Sequence, residues 1–142
     1  MIIGVDFDGT CVVGYPDFKN CGAGPVLREL CNKGFRLVLN TCRAGRELEL
    51  AVNWFKKENI ELWGINSTPG QEKHYSTKVV ADLYIDDRSF GAPLLKNEYG
   101  VCIDWTRVID AMCVLPIAEK EALKDLVRAE QGYVRSSITR MF

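Results

Sequence analysis

Short apolar runs and amphipathic stretches alternate along the first part of the chain. Residues 1–5 are mostly apolar and predict a buried, central strand. Further short apolar runs predict strands at residues 35–39, 62–65 and 83–85. Apolar positions recur at helical spacing between Pro25, a favourable first helical residue, and Gly34, a favourable stop, and again from about residue 45 to 58. The order β-α-β-α-β-loop-β is typical of parallel strands joined by right-handed crossovers.

The later part of the chain carries weaker signals. Residues 91–93 indicate a turn, residues 101–103 an edge strand, and residues 106–115 and 118–133 helices. Residues 11–24 and 66–77 are polar and predict loops. We expect a single domain over residues 1–142, with a core at about 1–90 and C-terminal helices at about 106–134 that add structure and not a second domain.

Composition and charge exclude several classes of protein. A net charge of −1 supplies no basic field, so strong nucleic-acid binding is not expected. No apolar run approaches the ~20 residues that span a bilayer, and the N-terminus lacks the features of a signal peptide, which predicts a cytoplasmic protein without a membrane partner. The six cysteines lack Cys-x-x-Cys spacing and predict reduced, mostly buried thiols. His74 is the single histidine, so a zinc cluster is not expected.

Asp6 and Asp8 are the strongest chemical signal in the sequence. They follow the first apolar run and precede a Gly-Thr turn. Side chains two apart at the end of a strand point the same way, so both carboxylates are expected to face one spot while Phe7 turns toward the core. Two carboxylates so close together repel each other. Such a pair is typical of a metal site, of a shared proton, or of a nucleophile beside an acid/base. The alternative is a solvated acidic turn.

Other predicted strands also end in polar residues. Thr41 follows the strand at 35–39, Lys78 precedes the strand at 83–85, and Asp86 and Asp87 follow that strand. Ligands of open α/β sheets bind outside the carboxyl ends of the strands, which favours one shared site. Taken singly, each residue has a structural alternative: Thr41 as a helix cap, Lys78 as a solvated lysine, and the Asp86–Asp87 pair as an acidic turn.

In this order along the chain, these residues resemble the four motifs of the haloacid dehalogenase-like (HAD) superfamily. Asp6-Phe7-Asp8-Gly9-Thr10 matches the first motif, Thr41 the second, Lys78 the third and Asp86-Asp87 the fourth. The resemblance implies a Rossmann-like open parallel sheet with residues 1–5 central and helices on both faces. It also implies a Mg²⁺-dependent phosphatase that works through an aspartyl-phosphate.

The resemblance assigns a role to each matched residue. Asp6 is the nucleophile, and Asp8 is the general acid and then the base. Mg²⁺ is held by Asp6, Asp86 and the backbone carbonyl of Asp8, while Asp87 orients Asp86 or a metal-bound water. The remaining contacts to phosphate come from Asp8, the backbone near Gly9, Thr41 and Lys78. Asp8 favours phosphate-ester hydrolysis, because family members that cleave carbon–halogen bonds lack it and transport ATPases carry Thr there.

The loops after Thr10 and before Lys78 are too short for the cap domain of many family members. Residues 12–18 are expected to form only a small flap, with Tyr15 or Phe18 over the site. An open site implies a phosphorylated substrate large enough to cover it, whether a small molecule or an exposed phosphate on a larger one, or a second subunit in a homo-oligomer.

Two alternative functions stay open at this stage. A phospho-accepting receiver-like signalling module shares the chemistry, but it needs an Asp where Thr41 or Asn66 follows a later strand. A non-catalytic HAD-like binding protein is disfavoured because all expected catalytic residues are present.

Overall fold

A computed structural model describes residues 1–74 and 76–131. The chain divides into two compact units, the first formed by Met1–Phe7 and Leu27–Asp86, the second by Asp8–Val26 and the residues from Asp87 onward. The expected single domain over residues 1–142 stays a prediction.

The first unit contains a four-stranded parallel sheet. Its strands are β1 (Ile2–Val5), β4 (Arg36–Leu39), β5 (Leu62–Ile65) and β6 (Leu83–Ile85), in the spatial order β5-β4-β1-β6. All three pairings are parallel, as expected for strands joined by crossovers. The four predicted strands are confirmed, and β1 lies inside the sheet as predicted.

Helices flank this sheet. The protein therefore has a mixed α/β, Rossmann-like fold. Helix α1 covers Ala23–Asn32 and helix α2 covers Gly45–Lys57. Helix α1 begins before Pro25, which is tolerated because N–H groups in the first helical turn have no intrahelical partner. Gly34 has φ +88°, a conformation that glycine adopts readily and that ends the helical path, as predicted.

An aromatic cluster anchors α2 within the first unit. The ring centroid of Phe7 lies 5.8 Å from that of Trp54 and 6.2 Å from that of Phe55. All three side chains are buried. The contact between Phe7 and Trp54 is edge-to-face, and contacts of this kind add to the apolar burial. The prediction that Phe7 turns into the core is therefore confirmed.

The second unit contains two small antiparallel pairs and two helices. Strands β2 (Val12–Val13) and β3 (Lys19–Asn20) form one pair, and β7 (Leu94–Asn97) and β8 (Gly100–Ile103) form the other. The sequence prediction of an unbroken loop at 11–24 was therefore incomplete, and β7 was missed. Two-residue strands are too short to show alternation, which explains the first omission.

The helices of the second unit are α3 (Trp105–Ala111) and α4 (Ile117–Glu130). Asp104 caps α3, with its side chain accepting a hydrogen bond from the Thr106 N–H at 3.1 Å. The predicted end of α3 at residue 115 was wrong: the helix stops at Ala111, because the next residue, Met112, has extended backbone. The predicted end of α4 at residue 133 and the tail after it lie outside the described residues.

Two sequence-level expectations concern membranes and cysteines. Within residues 1–74 and 76–131, no helix is long and apolar enough to cross a membrane. All six cysteines lie within the described residues and each is a free thiol. Cys11, Cys21 and Cys102 are buried, Cys31 is half-buried, and Cys42 and Cys113 are exposed.

Gly4 is the tightest point of the sheet. A Cβ atom on Gly4 would lie 2.9 Å from Cδ1 of Tyr84, its partner in register on β6. The Tyr84 ring cannot easily move aside, because its hydroxyl donates to the Val79 carbonyl and accepts from the Ala81 N–H.

Gly4→Ala is therefore expected to destabilise the fold by about 1–3 kcal/mol through overpacking. Urea unfolding gives the free energy, and a double-mutant cycle with Tyr84→Ala isolates the contact. In the Tyr84→Ala background, Gly4→Ala should cost much less. An equal cost in both backgrounds would show that the Tyr84 ring is not the obstacle.

Candidate functional site at the carboxyl ends of the parallel strands

Strand register brings Asp6 and Asp86 together. Gly4 pairs with Tyr84 and Val5 with Ile85, so the next residues along both strands are Asp6 and Asp86. The Asp6 N–H continues the ladder by donating to the Ile85 carbonyl at 3.0 Å. Carboxylate oxygens of Asp6 and Asp86 lie within 4.8 Å of each other, and both side chains are half-buried. The structure thus places two predicted site residues side by side within the first unit.

This carboxylate pair fits a hard divalent cation. Two oxygens bound to one Mg²⁺ at 2.0–2.1 Å are at most about 4.2 Å apart. A separation within 4.8 Å reaches that spacing with a small side-chain rotation. Two half-buried carboxylates repel each other without a cation or a proton between them, and oxygen ligands favour Mg²⁺ over softer metals.

Asp8 and Asp87 belong to the second unit, where Asp8 is exposed and Asp87 is half-buried. Gly9 has φ +75°, and a Cβ there would lie 2.4 Å from Oδ2 of Asp87. The Asp87 N–H donates to the Thr10 hydroxyl at 3.1 Å. Asp87 is thus fixed against the two residues that follow Asp8, and only glycine fits at position 9.

Two further bonds hold the loop that follows Asp8. The Ile103 N–H donates to the Gly9 carbonyl at 2.9 Å, and the Trp105 indole N–H donates to the Thr10 carbonyl at 2.8 Å. Both Thr10 and Trp105 are fully buried. Sequence reasoning missed Trp105, because nothing in its sequence spacing links it to a residue so far upstream.

Thr41 lies just beyond β4. Its N–H donates to Oδ1 of Asn66 at 2.8 Å, and its hydroxyl oxygen accepts from the Arg43 N–H at 3.2 Å. Thr41 does not cap α2, because Ala44 holds the N-cap position of that helix. The Asn66 side chain, just after β5, therefore positions the Thr41 backbone. Asn66 has a positive φ of 53°, a conformation that asparagine adopts more readily than most residues. An asparagine directly after a predicted strand was a signal available in the sequence.

Lys78 is exposed, and its ammonium group lies 5.0 Å from the centroid of the Tyr84 ring. Residues two apart on a strand share a face, so Tyr84 lies on the same side of β6 as Asp86. The cation–π contact places the Lys78 ammonium against Tyr84, two residues before Asp86.

Gln71 organises the backbone that carries Lys78. Its side-chain oxygen accepts from the N–H groups of Thr68 and Val80, both at 3.0 Å. Its amide nitrogen donates to the carbonyls of Ser76 and Lys78, both at 2.9 Å. Gln71 is buried, and these bonds use all the hydrogen-bonding capacity that the amide commonly offers. Sequence reasoning assigned this segment to a plain polar loop and missed Gln71.

Some neighbouring residues have structural roles. Arg43 pairs with Glu47 at 3.0 Å and lies over the Phe7 ring, 5.0 Å from its centroid, so this arginine serves the fold. Nothing is described for the side chain of His74. Burial and a hydrogen bond with Cys102 raise the pKa of the Cys21 thiol, so Cys21 stays protonated at neutral pH and is a poor nucleophile.

The arrangement defines a Rossmann-like α/β protein with an acidic pair at the carboxyl edge of its parallel sheet. A similar solved structure is that of a conserved protein coded by a locus from Bacteroides thetaiotaomicron. The two chains are 37% identical with a TM-score of 0.59, and the match covers 64% of this chain and 78% of that one. This chain belongs to the same family as that conserved protein. Protein-family models and curated protein sequences give no match.

Gln71→Leu tests how the loop that carries Lys78 is held. The substitution leaves the Thr68 and Val80 N–H groups without their acceptor, at a cost of about 1–3 kcal/mol for each buried group that stays unpaired. We expect a lower urea midpoint and faster amide hydrogen exchange at Val80. Glu72→Leu, at an exposed position on the same turn, is the matched control and should leave both unchanged. If the Val80 amide stays equally protected from hydrogen exchange in Gln71→Leu, Gln71 does not hold this loop.

Proposed function

We propose that this chain is a Mg²⁺-dependent phosphatase of the HAD type, which hydrolyses a phosphate monoester through an aspartyl-phosphate. The observation that carries the proposal is the convergence of Asp6 and Asp86 at the carboxyl ends of two adjacent parallel strands. Ordered along the chain, Asp6, Asp8, Thr41, Lys78 and Asp86 supply every group that the reaction requires. The relationship to the conserved protein from Bacteroides thetaiotaomicron is compatible with this proposal, but it assigns no activity to the chain.

The reaction proceeds in two steps. A carboxylate oxygen of Asp6 attacks phosphorus, and the bond from phosphorus to the leaving oxygen breaks. Asp8 gives its proton to that oxygen, which leaves as an alcohol. Asp8 then takes a proton from water, the water oxygen attacks phosphorus, and the bond to Asp6 breaks to release phosphate.

The residues present fit a cation that the fold family implies. Asp6 and Asp86 would hold it, with the Asp8 carbonyl as a further ligand and Asp87 as an orienting group. When bound, Mg²⁺ neutralises charge on the phosphate oxygens. Within the chain, Thr41 can donate its hydroxyl proton to a phosphate oxygen, since the oxygen of that group already accepts from Arg43. Lys78 supplies a positive charge beside Tyr84, two residues before Asp86.

Short connections support a site without a cap domain. Among the described residues, the segment between β1 and α1 holds only the pair β2–β3. Between β5 and β6, the described residues hold only a 3₁₀ turn at Gln71–His74. Neither segment is large enough to fold separately. Substrate selection therefore depends on the residues that surround Asp8.

Hydrolysis of an aryl phosphate should require Mg²⁺. We expect chelation to abolish turnover and Mg²⁺ to restore it. Asp86→Asn, which removes one carboxylate of the pair, should raise the Mg²⁺ concentration needed for half-maximal rate at least about tenfold, the size seen when a supporting metal contact is lost. Asp125→Asn, an exposed position on α4, is the control. Turnover that survives complete metal removal would contradict the proposal.

Asn substitutions separate the roles of Asp6 and Asp8. Asp6→Asn removes the attacking oxygen, so no phosphoryl adduct should form. Asp8→Asn keeps the nucleophile, so an activated aryl phosphate should still phosphorylate the protein, while release of phosphate slows by about 10²–10⁴-fold. Intact-protein mass after brief mixing and acid quench reports the adduct. An adduct on Asp6→Asn and none on Asp8→Asn would show that the two roles are reversed.

A further inference from the structure

A cavity of about 270 Å³ lies within the second unit, beside Asp8. Its lining includes the charged residues Asp8, Asp87 and Arg88 and the aromatic or apolar residues Tyr15, Tyr99 and Val101. Its volume is just below the roughly 300 Å³ at which ligand pockets begin, so it has room only for a small group. The proposed proton donor thus borders a space that can receive the organic part of a small substrate.

Two tyrosine rings come to this cavity from separate turns. Tyr15 lies between β2 and β3 and is 70% exposed, and Tyr99 lies between β7 and β8 and is 42% exposed. Each ring has one neighbouring side chain: the Phe18 centroid lies 6.3 Å from that of Tyr15, and Lys19 Nζ lies 5.9 Å from the Tyr99 centroid. Exposed aromatic rings at a cavity mouth offer flat faces for stacking.

The remaining lining adds apolar surface, free space and one cation beside two carboxylates. Val12 and Val13 contribute buried apolar surface, and backbone at Gly14 and Gly100 carries no side chain that would fill the space. Arg88 supplies a guanidinium, whose planar donors match phosphate oxygens and which also stacks on aromatic groups.

We infer that this cavity binds the leaving group of the substrate, and that this group carries a flat aromatic ring held between Tyr15 and Tyr99. This inference rests on the proposed function, because a phosphate beside Asp8 follows only from that function. Such a ring belongs either to a simple aryl phosphate or to a mononucleotide. A sugar phosphate lacks the ring and makes neither stacking contact.

Binding is measured with the Asp6→Asn variant, which cannot turn substrate over by the proposed route. Affinity for the cavity is therefore measured without hydrolysis. Calorimetric titration compares two matched pairs of probes: phenyl phosphate with cyclohexyl phosphate, and adenosine 5′-phosphate with ribose 5-phosphate. The aromatic member of at least one pair should bind about tenfold more tightly, which is within the range for stacking of one ring. The pair that shows the preference identifies the aromatic group as aryl or nucleobase.

Variants of the two tyrosines test the assigned contacts. Tyr15→Leu and Tyr99→Leu, added to Asp6→Asn, should each reduce the aromatic preference several-fold, whereas Tyr→Phe at either position should keep it. Both residues are exposed, so the fold should survive, and thermal unfolding checks this. Phe90→Ala is the control, because Phe90 is fully exposed and does not line the cavity.

The outcomes distinguish this inference from the proposed function. Equal binding within both pairs, or a preference that both Leu variants retain, would overturn the aromatic subsite even if the wild-type protein hydrolyses phosphate esters. A preference that the Leu variants remove, in a protein that hydrolyses no ester with Mg²⁺, would support the subsite and overturn the phosphatase.

Discussion

The candidate site depends on the parallel register of β1 and β6. Gly4 faces Tyr84, and the ladder continues through the Asp6 N–H, so the first residues past both strands are Asp6 and Asp86. A shift of one residue would turn Asp6 to the opposite face and would separate the carboxylates. The missing side chain at Gly4 permits this register, because only glycine leaves space for the Tyr84 ring. Packing inside the sheet therefore determines where the chemistry lies.

Side-chain amides and buried polar groups then fix the loops that leave the strands. Gln71 holds the backbone of Lys78, Asn66 holds that of Thr41, and Trp105 holds that of Thr10. Loop residues keep a fixed place only where their polar backbone groups find partners. Thr41 and Lys78, both proposed for phosphoryl transfer, thus each have a neighbouring polar side chain that locates their backbone. Loss of that neighbour should affect function without touching the substrate.

The sequence predicted the strands of the sheet well and the supporting contacts poorly. Apolar runs that end in Asp6, Thr41 and Asp86 showed both the strands and the edge where polar groups collect. The pairs β2–β3 and β7–β8 were missed or only partly predicted, and the two-residue strands of the first pair are too short to show alternation. Gln71 and Trp105 carry no local signal, since their partners are set by the fold. The cavity beside Asp8 has the same origin, because its two tyrosines come from separate hairpins.

The most direct test of the account is a crystal structure with Mg²⁺ and beryllium fluoride, a mimic of the phosphoryl group on a carboxylate. The account predicts a trifluoroberyllate bonded to a carboxylate oxygen of Asp6, with the cation bound by Asp6 and Asp86. A trifluoroberyllate bonded to Asp8, or a cation bound away from Asp86, would contradict it.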